Sequence, residues 1–123
     1  GLDRLTGGLG IDKLTGGTGA DRFIFNAVTE SRSSSGRDTI EDFSRAQGDK
    51  IQLTAIDANT KLAGNQAFTF IGTAAFSGKA GELRFVKSGT DTHIYADING
   101  DKLIDMHIIS NVVLNFVKAD FVL

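Results

Sequence analysis

A nine-residue period at the start of the chain restricts its fold more than any other feature. Residues 7–15 read Gly7-Gly8-Leu9-Gly10-Ile11-Asp12-Lys13-Leu14-Thr15, and residues 16–24 read Gly16-Gly17-Thr18-Gly19-Ala20-Asp21-Arg22-Phe23-Ile24. In the same register, Gly1 to Thr6 fill the last six positions of one more copy. The chain is therefore expected to begin inside a repeat and to be part of a longer protein. Glycines at positions 1, 2 and 4 let the backbone turn tightly with φ > 0. The apolar residue at position 8 (Leu5, Leu14, Phe23) belongs to a short strand and points inward. One unit cannot bury that side chain alone, but stacked units can, which is the logic of a solenoid. With two units per coil, turns on one side recur every second repeat, and Asp3 stacks beneath Asp21.

Such a stack gathers backbone carbonyls and the position-6 carboxylates around common points. Two turns can supply the six or so oxygens that a calcium ion takes. Composition agrees: aspartate outnumbers glutamate by 12 to 3, and its short side chain suits turns and oxygen cages. Cysteine is absent, which excludes disulfides, thiol nucleophiles and cysteine-ligated metals. Proline is absent too. The repeats resemble those of RTX (repeats-in-toxin) proteins, with the pattern Gly-Gly-x-Gly-x-Asp-x-U-x. That resemblance implies ligands from positions 2, 4 and 6 of one turn and 1, 3 and 6 of the turn two repeats later. Carried over, one calcium site uses Gly1, Asp3, Gly16, Thr18 and Asp21. A second starts from Gly8, Gly10 and Asp12, its upper partner falling near Asn26 to Glu30, where the glycines run out. A last one uses Gly17, Gly19 and Asp21, closed by something beyond the repeats.

From Arg22 onward the pattern changes. Ser31 to Gly36 form a polar loop, and short alternating segments follow at Asp38–Phe43, Asp49–Leu53, Ala67–Ile71, Glu82–Val86, Thr92–Asp97, Leu103–Ile109 and Val112–Phe116. These read as strands, with helical turns near Ala55–Asn59 and Val117–Asp120. Several pieces together resemble the C-terminal domain of serralysin-type metalloproteases over essentially the whole chain. They are Gly19-Ala20-Asp21-x-Phe23-x-Phe25, Asp38-Thr39-Ile40-x-Asp42-Phe43, Asp49-Lys50-Ile51-x-Leu53, Gly78-Lys79-Ala80-Gly81, Ala96-Asp97-Ile98-Asn99-Gly100-Asp101 and the closing Ala119 to Leu123. The expected fold is all-β: a short parallel β-roll over residues 1–25, capped by a β-sandwich-like domain over residues 26–123. The resemblance further implies that Asp38 helps close the last calcium site; Asp42 and Asp49 are weaker candidates, because strand-end carboxylates commonly form turns. Asp120-Phe121-Val122-Leu123 resembles the C-terminal export signal of type I secretion substrates, and is equally consistent with a final strand tucked into the sheet.

Other chemistry is sparse. Asp97 to Asp105 places oxygen side chains at loop positions 1, 3, 5 and 9 of an EF-hand pattern, but has Lys102 where that pattern needs Gly and Ile108 where it needs Glu. Asn99-Gly100 there is also a hairpin signal. His93 and His107 form no His-Glu-x-x-His motif and read as packed or surface histidines. No Gly-x-Ser-x-Gly elbow exists, and nine phenylalanines read as core. Thirteen basic and fifteen acidic side chains give a net charge of −2, which argues against nucleic acid or an anionic membrane as the main partner. No apolar run approaches a membrane span. The expected function is a non-catalytic, calcium-binding module of a secreted, extracellular bacterial protein, probed by the type I secretion machinery at its C-terminus and joined to an upstream domain of the same parent. The alternative is an extracellular module that binds polysaccharide or a cell surface, in the manner of related modules of alginate epimerases. A continuous stripe of exposed basic and aromatic residues is the feature that favours the alternative.

Overall fold

The computed structural model describes residues 3–8, 11–28, 31 and 37–123. Gly1 and Gly10 of the candidate ligands lie outside the described residues, as does most of the Ser31–Gly36 loop. The strands are β1 (Arg4–Leu5), β2 (Lys13–Leu14), β3 (Arg22–Ile24), β4 (Asp38–Ile40), β5 (Lys50–Gln52), β6 (Thr69–Phe70), β7 (Glu82–Ser88), β8 (Asp91–Asp97), β9 (Met106–Ser110) and β10 (Phe121–Val122). They form a four-stranded sheet in the order β1-β3-β5-β10 and a six-stranded sheet in the order β2-β4-β9-β8-β7-β6.

Successive strands from β1 to β5 alternate between the two sheets, and within each sheet they pair in parallel: β1 with β3, β3 with β5, β2 with β4. This is a roll. Position-8 side chains point into it, with Phe23 fully buried and Leu14 nearly so. The winding does not stop where the glycine repeats stop. After β5 the chain leaves the roll and returns as β9, parallel to β4, and then as β10, parallel to β5. Both sheets therefore run from the repeats into the C-terminal strands without a break.

The excursion between β5 and β9 widens one sheet. β7 and β8 form a hairpin through Gly89 and Thr90, with Gly89 at φ 62; a glycine with positive φ at the first of two turn residues is the type II′ arrangement that matches strand twist. The Asn99-Gly100 signal marks the β8–β9 connection instead, and that connection is a longer loop, 98–105, not a two-residue turn. Residues 103–105 belong to it, so the strand expected from Leu103 starts only at Met106. Val112–Phe116 is an arm rather than a strand, because its groups are held by side chains: Thr92 Oγ1 donates to the Val112 carbonyl at 2.8 Å and accepts the Leu114 N–H at 3.1 Å, and Ser110 Oγ accepts the Val112 N–H at 3.3 Å. Residues 55–59 form turns without a helix, and the 3₁₀ turns lie at Arg45–Gln47 and Lys118–Asp120.

Phenylalanine fills the space between the roll and the excursion. Phe23 meets Phe43 at 6.3 Å between ring centroids, Phe43 meets Phe116 at 5.1 Å, and Phe116 meets Phe121 at 5.7 Å. Phe70 and Phe85 stack at 6.0 Å and join the same cluster through Phe121. The C-terminal strand is pinned by a carboxylate: Asp120 is 1% exposed and accepts from Arg45 Nε at 2.8 Å, Arg45 Nη2 at 2.7 Å and the Val117 N–H at 2.8 Å. Burial pushes the Asp120 carboxyl up, but the Arg45 hydrogen bonds, the Val117 amide and the charges of Arg45 and Lys50 outweigh it and hold it below the ordinary carboxylate range. Arg45→Ala removes that compensation and leaves a buried acceptor with one amide partner. The expected cost is about 1–3 kcal/mol, read as a lower urea midpoint at pH 7. The deficit should narrow as pH falls through the acid range, because the wild-type contribution is present above the unfolded carboxyl pKa and is lost on protonation.

Candidate metal centre

The turns of the roll are stacked through their aspartates. On one edge Asp21 Oδ1 accepts the Asp3 N–H at 3.0 Å, 18 residues away, as the two-unit coil requires. Asp49 Oδ1 accepts the Asp21 N–H at 2.8 Å. On the other edge Asp38 Oδ1 accepts the Asp12 N–H at 2.8 Å. Each carboxylate thus reaches one coil back to hold the start of the strand below.

The second oxygens are used differently. Asp12 Oδ2 and Asp21 Oδ2 are buried and accept no hydrogen bond among the described residues. Each carboxylate folds over the position-1 glycine of its own repeat: a methyl group at Gly16 would sit 2.4 Å from Asp21 Oδ2, and one at Gly7 would sit 2.8 Å from Asp12 Oδ2. Glycine at position 1 is therefore needed for space, whereas Gly8, Gly17 and Gly19 take positive φ of 73, 79 and 96 degrees and serve the turn itself. A buried carboxylate oxygen without a donor is costly, and a hard cation is the kind of partner that oxygen ligands satisfy.

The turn after β2 is roofed by residues 42–49. Asp42 Oδ1 and Oδ2 accept the N–H groups of Gly16 and Gly17 at 2.9 and 2.7 Å. Gln47 Oε1 accepts the Gly19 N–H at 2.8 Å. Asp49 also accepts the Ser44 N–H through Oδ2, at 2.9 Å, so both its oxygens are engaged by protein. Asp42 and Asp49 cap backbone amides through both of their oxygens. The Gln47 contact was not foreseeable, since a lone glutamine in a polar loop carries no pattern. Asp38, expected to close the site of Gly17, Gly19 and Asp21, stands instead over Asp12 on the opposite edge, because β4 is the coil neighbour of β2. Asp38 thus occupies the level above Asp12 at which an upper partner is expected near Asn26 to Glu30. Ser31 ends that edge: its Oγ accepts the Asp38 N–H at 2.8 Å and donates to the His107 carbonyl. Thr18 is an exposed member of the roofed turn.

Two further groups of polar side chains stand apart from the roll edges. In the β8–β9 loop, carboxylate oxygens of Asp97, Asp101 and Asp105 lie within 4.8 Å of one another. Asp97 accepts the amides of Asn99, Gly100 and Lys102, and Asp105 accepts the Ile98 N–H at 2.8 Å. Lys102 takes φ 65, the left-handed conformation for which the EF-hand pattern reserves glycine.

The other group lies on the solvent face of the six-stranded sheet. Residues Leu83, Phe85, Ile94, Ala96, Met106 and Ile108 alternate inward; their neighbours face outward. Arg84, Tyr95 and His107 are level with one another across β7, β8 and β9. Arg37, one residue before β4, extends the row on the far side of β9. The Arg84 guanidinium lies 5.6 Å from the ring centroids of both Tyr95 and Phe76, and its Nε donates to the Ala74 carbonyl at 2.8 Å. His93 Nδ1 and His107 Nε2 share one hydrogen bond at 2.7 Å. That pairing has no signature in the sequence, since it arises only from the antiparallel register of β8 and β9.

Comparison with known proteins agrees with this architecture. A sequence profile described as Peptidase M10 serralysin C terminal matches residues 2–123. The solution structure of the AlgE6R2 subunit of the Azotobacter vinelandii mannuronan C5-epimerase is similar, with a TM-score of 0.66 and 27% identity over 98% of this chain and 70% of that one. The AlgE6R3 subunit of the same enzyme gives a TM-score of 0.53 and 28% identity over 89% of this chain and 59% of that one. No curated protein sequence matches.

The histidine pair makes stability depend on pH. Burial, then His93 and Arg37, lower the His107 pKa to about 4; Tyr95 packs against the same ring at 4.7 Å. An unfolded imidazole takes its proton at about pH 6.5, so between these values the unfolded state binds more protons. Stability is then full above the unfolded pKa and falls as pH drops through that window. Urea midpoints at pH 7 and pH 5 should differ for the wild type, and His107→Gln should flatten the difference.

Proposed function

Because the chain belongs to the peptidase M10 serralysin C-terminal family, we propose that it is a non-catalytic module of a secreted bacterial protein, whose β-roll binds calcium and folds on binding it. The observation that carries this reading is the pair of buried, unpartnered carboxylate oxygens, Asp12 Oδ2 and Asp21 Oδ2, on opposite edges of one roll. Around Asp21 the residues that would hold an ion are Asp3, Gly16, Gly17, Thr18 and Gly19, with Gly1 from outside the described residues; around Asp12 they are Gly8 and Asp38, with Gly10. All offer carboxylate, hydroxyl or carbonyl oxygen, the donor class of a hard cation. Calcium, when bound, would supply the positive charge that these carboxylate oxygens face within the stack.

The consequence is linkage. An ion that binds the stacked turns and not the unfolded chain adds its binding free energy to folding. Extracellular modules of this kind have affinities of about 10⁻⁴–10⁻³ M: the roll stays unfolded at cytosolic calcium and forms outside. The last four residues fit this order of events. Asp120 and Phe121 are buried once β10 has paired with β5, so an export machine reads the Asp120-Phe121-Val122-Leu123 segment only on an unfolded chain. No helix among the described residues is long and apolar enough to cross a membrane. The parent carrying this tail is proposed to be a zinc metalloprotease, with its catalytic domain upstream.

A second reading is a surface for extracellular polysaccharide. It is favoured by the row of cationic and aromatic side chains on the solvent face of the six-stranded sheet, and by the likeness to subunits of an enzyme that acts on mannuronan.

Circular dichroism during a calcium titration of the chelator-treated protein tests the first reading. The β signal should rise with calcium, be reversed by chelator, and not be reproduced by magnesium. Asp21→Asn should shift the midpoint to roughly tenfold higher calcium or more, since ligand charge sets affinity in such sites. A β signal that is complete in excess chelator would sink the calcium-folding reading.

A further inference from the structure

Two adjacent rows on the solvent face of the six-stranded sheet form a surface with a definite chemistry. The first runs Arg37, His107, Tyr95, Arg84, with Phe76 beyond Arg84; His107 is buried by its neighbours in the row, and the others carry the exposed chemistry. The second runs Lys13, Thr39, Ile109, His93, Val86, in register across five strands. Neither row contains a carboxylate. The acids at its borders are partly engaged: the Glu82 carboxylate accepts from Ser77 N–H and Oγ, Asp97 from loop amides, and Glu41 from Thr15 Oγ1. Asp91 lies one row further out, at the hairpin end of β8. A patch holding Lys13, Arg37 and Arg84 on a chain of net charge −2 is a local reversal of sign.

We propose that this face binds a carboxylated polysaccharide laid across the strands, with Arg84, braced against Tyr95 and Phe76, taking an acid group and Lys13 and Arg37 adding positive charge to the surface. This rests on the polysaccharide reading above and names the charge class and the residues. The geometry favours a polymer over a small anion. Strands lie about 4.8 Å apart, close to the length of one pyranose with its linkage, so a chain crossing the strands meets one side chain of the row per sugar. Arg84 is pre-positioned. Its guanidinium is held between two rings and tethered through Nε to Ala74. Its terminal N–H groups make no hydrogen bond among the described residues. A planar guanidinium fixed in this way matches a carboxylate in bidentate fashion at little entropic cost. Nucleic acid fits less well, because affinity for phosphate backbone grows with the number of cations and only three are present here.

The experiment is affinity electrophoresis of the calcium-loaded chain in gels containing polymannuronate or neutral dextran, joined to amide chemical-shift mapping of the wild-type protein with polymannuronate. Polymannuronate should retard the wild type and dextran should not, with shifts centred on β7, β8, β9 and the start of β4. Arg84→Gln and Arg37→Gln should each weaken retardation by roughly tenfold, with unchanged circular dichroism, while Lys61→Gln, in an exposed loop away from the sheet, should have no effect. Retardation by neither polymer overturns the polysaccharide reading and this proposal with it. Equal retardation by both leaves that reading standing and overturns recognition of the carboxylate. Retardation by polymannuronate with shifts elsewhere overturns the assignment to this face. The shift map needs no variant, so it decides even where a substitution prevents folding.

Discussion

The roll depends on one repeated contact, an aspartate oxygen that accepts the backbone N–H of the aspartate one coil earlier. Asp21 holds Asp3, Asp49 holds Asp21, and Asp38 holds Asp12. A hydrogen bond to an ionised acceptor contributes about 1.5–3 kcal/mol, and it fixes register as well as stacking. Parallel strands of two or three residues are too short to set their own register; the carboxylates at their N-terminal ends do it for them. The same geometry forces glycine at position 1, since the carboxylate that reaches back also lies over that residue. It leaves one oxygen of Asp12 and one of Asp21 without a donor. Register, glycine pattern and the two unpartnered carboxylate oxygens are thus three consequences of a single side-chain placement.

How far the sequence discloses this follows from where the physics is local. Gly7 to Ile24 announce the roll because turn, strand and carboxylate fall within nine residues, and the pairing of Asp3 with Asp21 follows from counting. The phenylalanine core and strands β4, β5, β7 and β8 were legible from alternation. The ends of the ladder were not. Asp38 meets Asp12 across 26 residues, a spacing set by the number of residues between β3 and β4 rather than by any period. Ser31 stands in for an aspartate at the next level, and serine in a polar loop has no distinguishing pattern. The return of β9 and β10 into the winding was equally hidden: their sequences read as ordinary half-buried strands, and only the topology shows that they take the places of further repeats.

The loop of Asp97, Asp101 and Asp105 illustrates a motif whose parts were read correctly and whose form was not. Asn99-Gly100 suggested a tight turn, and Gly100 does take φ 77. The carboxylate of Asp97, however, draws in three amides over a longer loop, and side-chain capture of backbone donors of this kind competes with regular turns. Burial pushes the Asp105 carboxyl up, the Ile98 amide offsets part of that, and the charges of Asp101 and Asp97 add to it. The loop concentrates negative charge at one end of the same sheet whose centre carries the cations, so the two faces of its chemistry are separated along the strands rather than mixed.

The way the ladder terminates decides how the molecule folds. Were the stack closed by another glycine turn, roll and C-terminal region would be separable. Instead, the edge holding Asp21 is closed by residues 42–49, in which Asp42, Gln47 and Asp49 engage the amides of the repeat turn. Arg45 of that cap grips Asp120 beside the last strand, and Lys50 of β5 donates to the Ala119 carbonyl. The opposite edge is closed through Ser31 onto the backbone of β9. Both ends of the carboxylate ladder are therefore anchored on strands that come late in the chain. Neighbouring units that share their interface in this manner gain stability together, so ordering of the turns and docking of β9 and β10 belong to one cooperative transition. A cation that favours the stacked carboxylates consequently favours the burial of the C-terminal strand, although no ligand-type oxygen of the roll belongs to that strand.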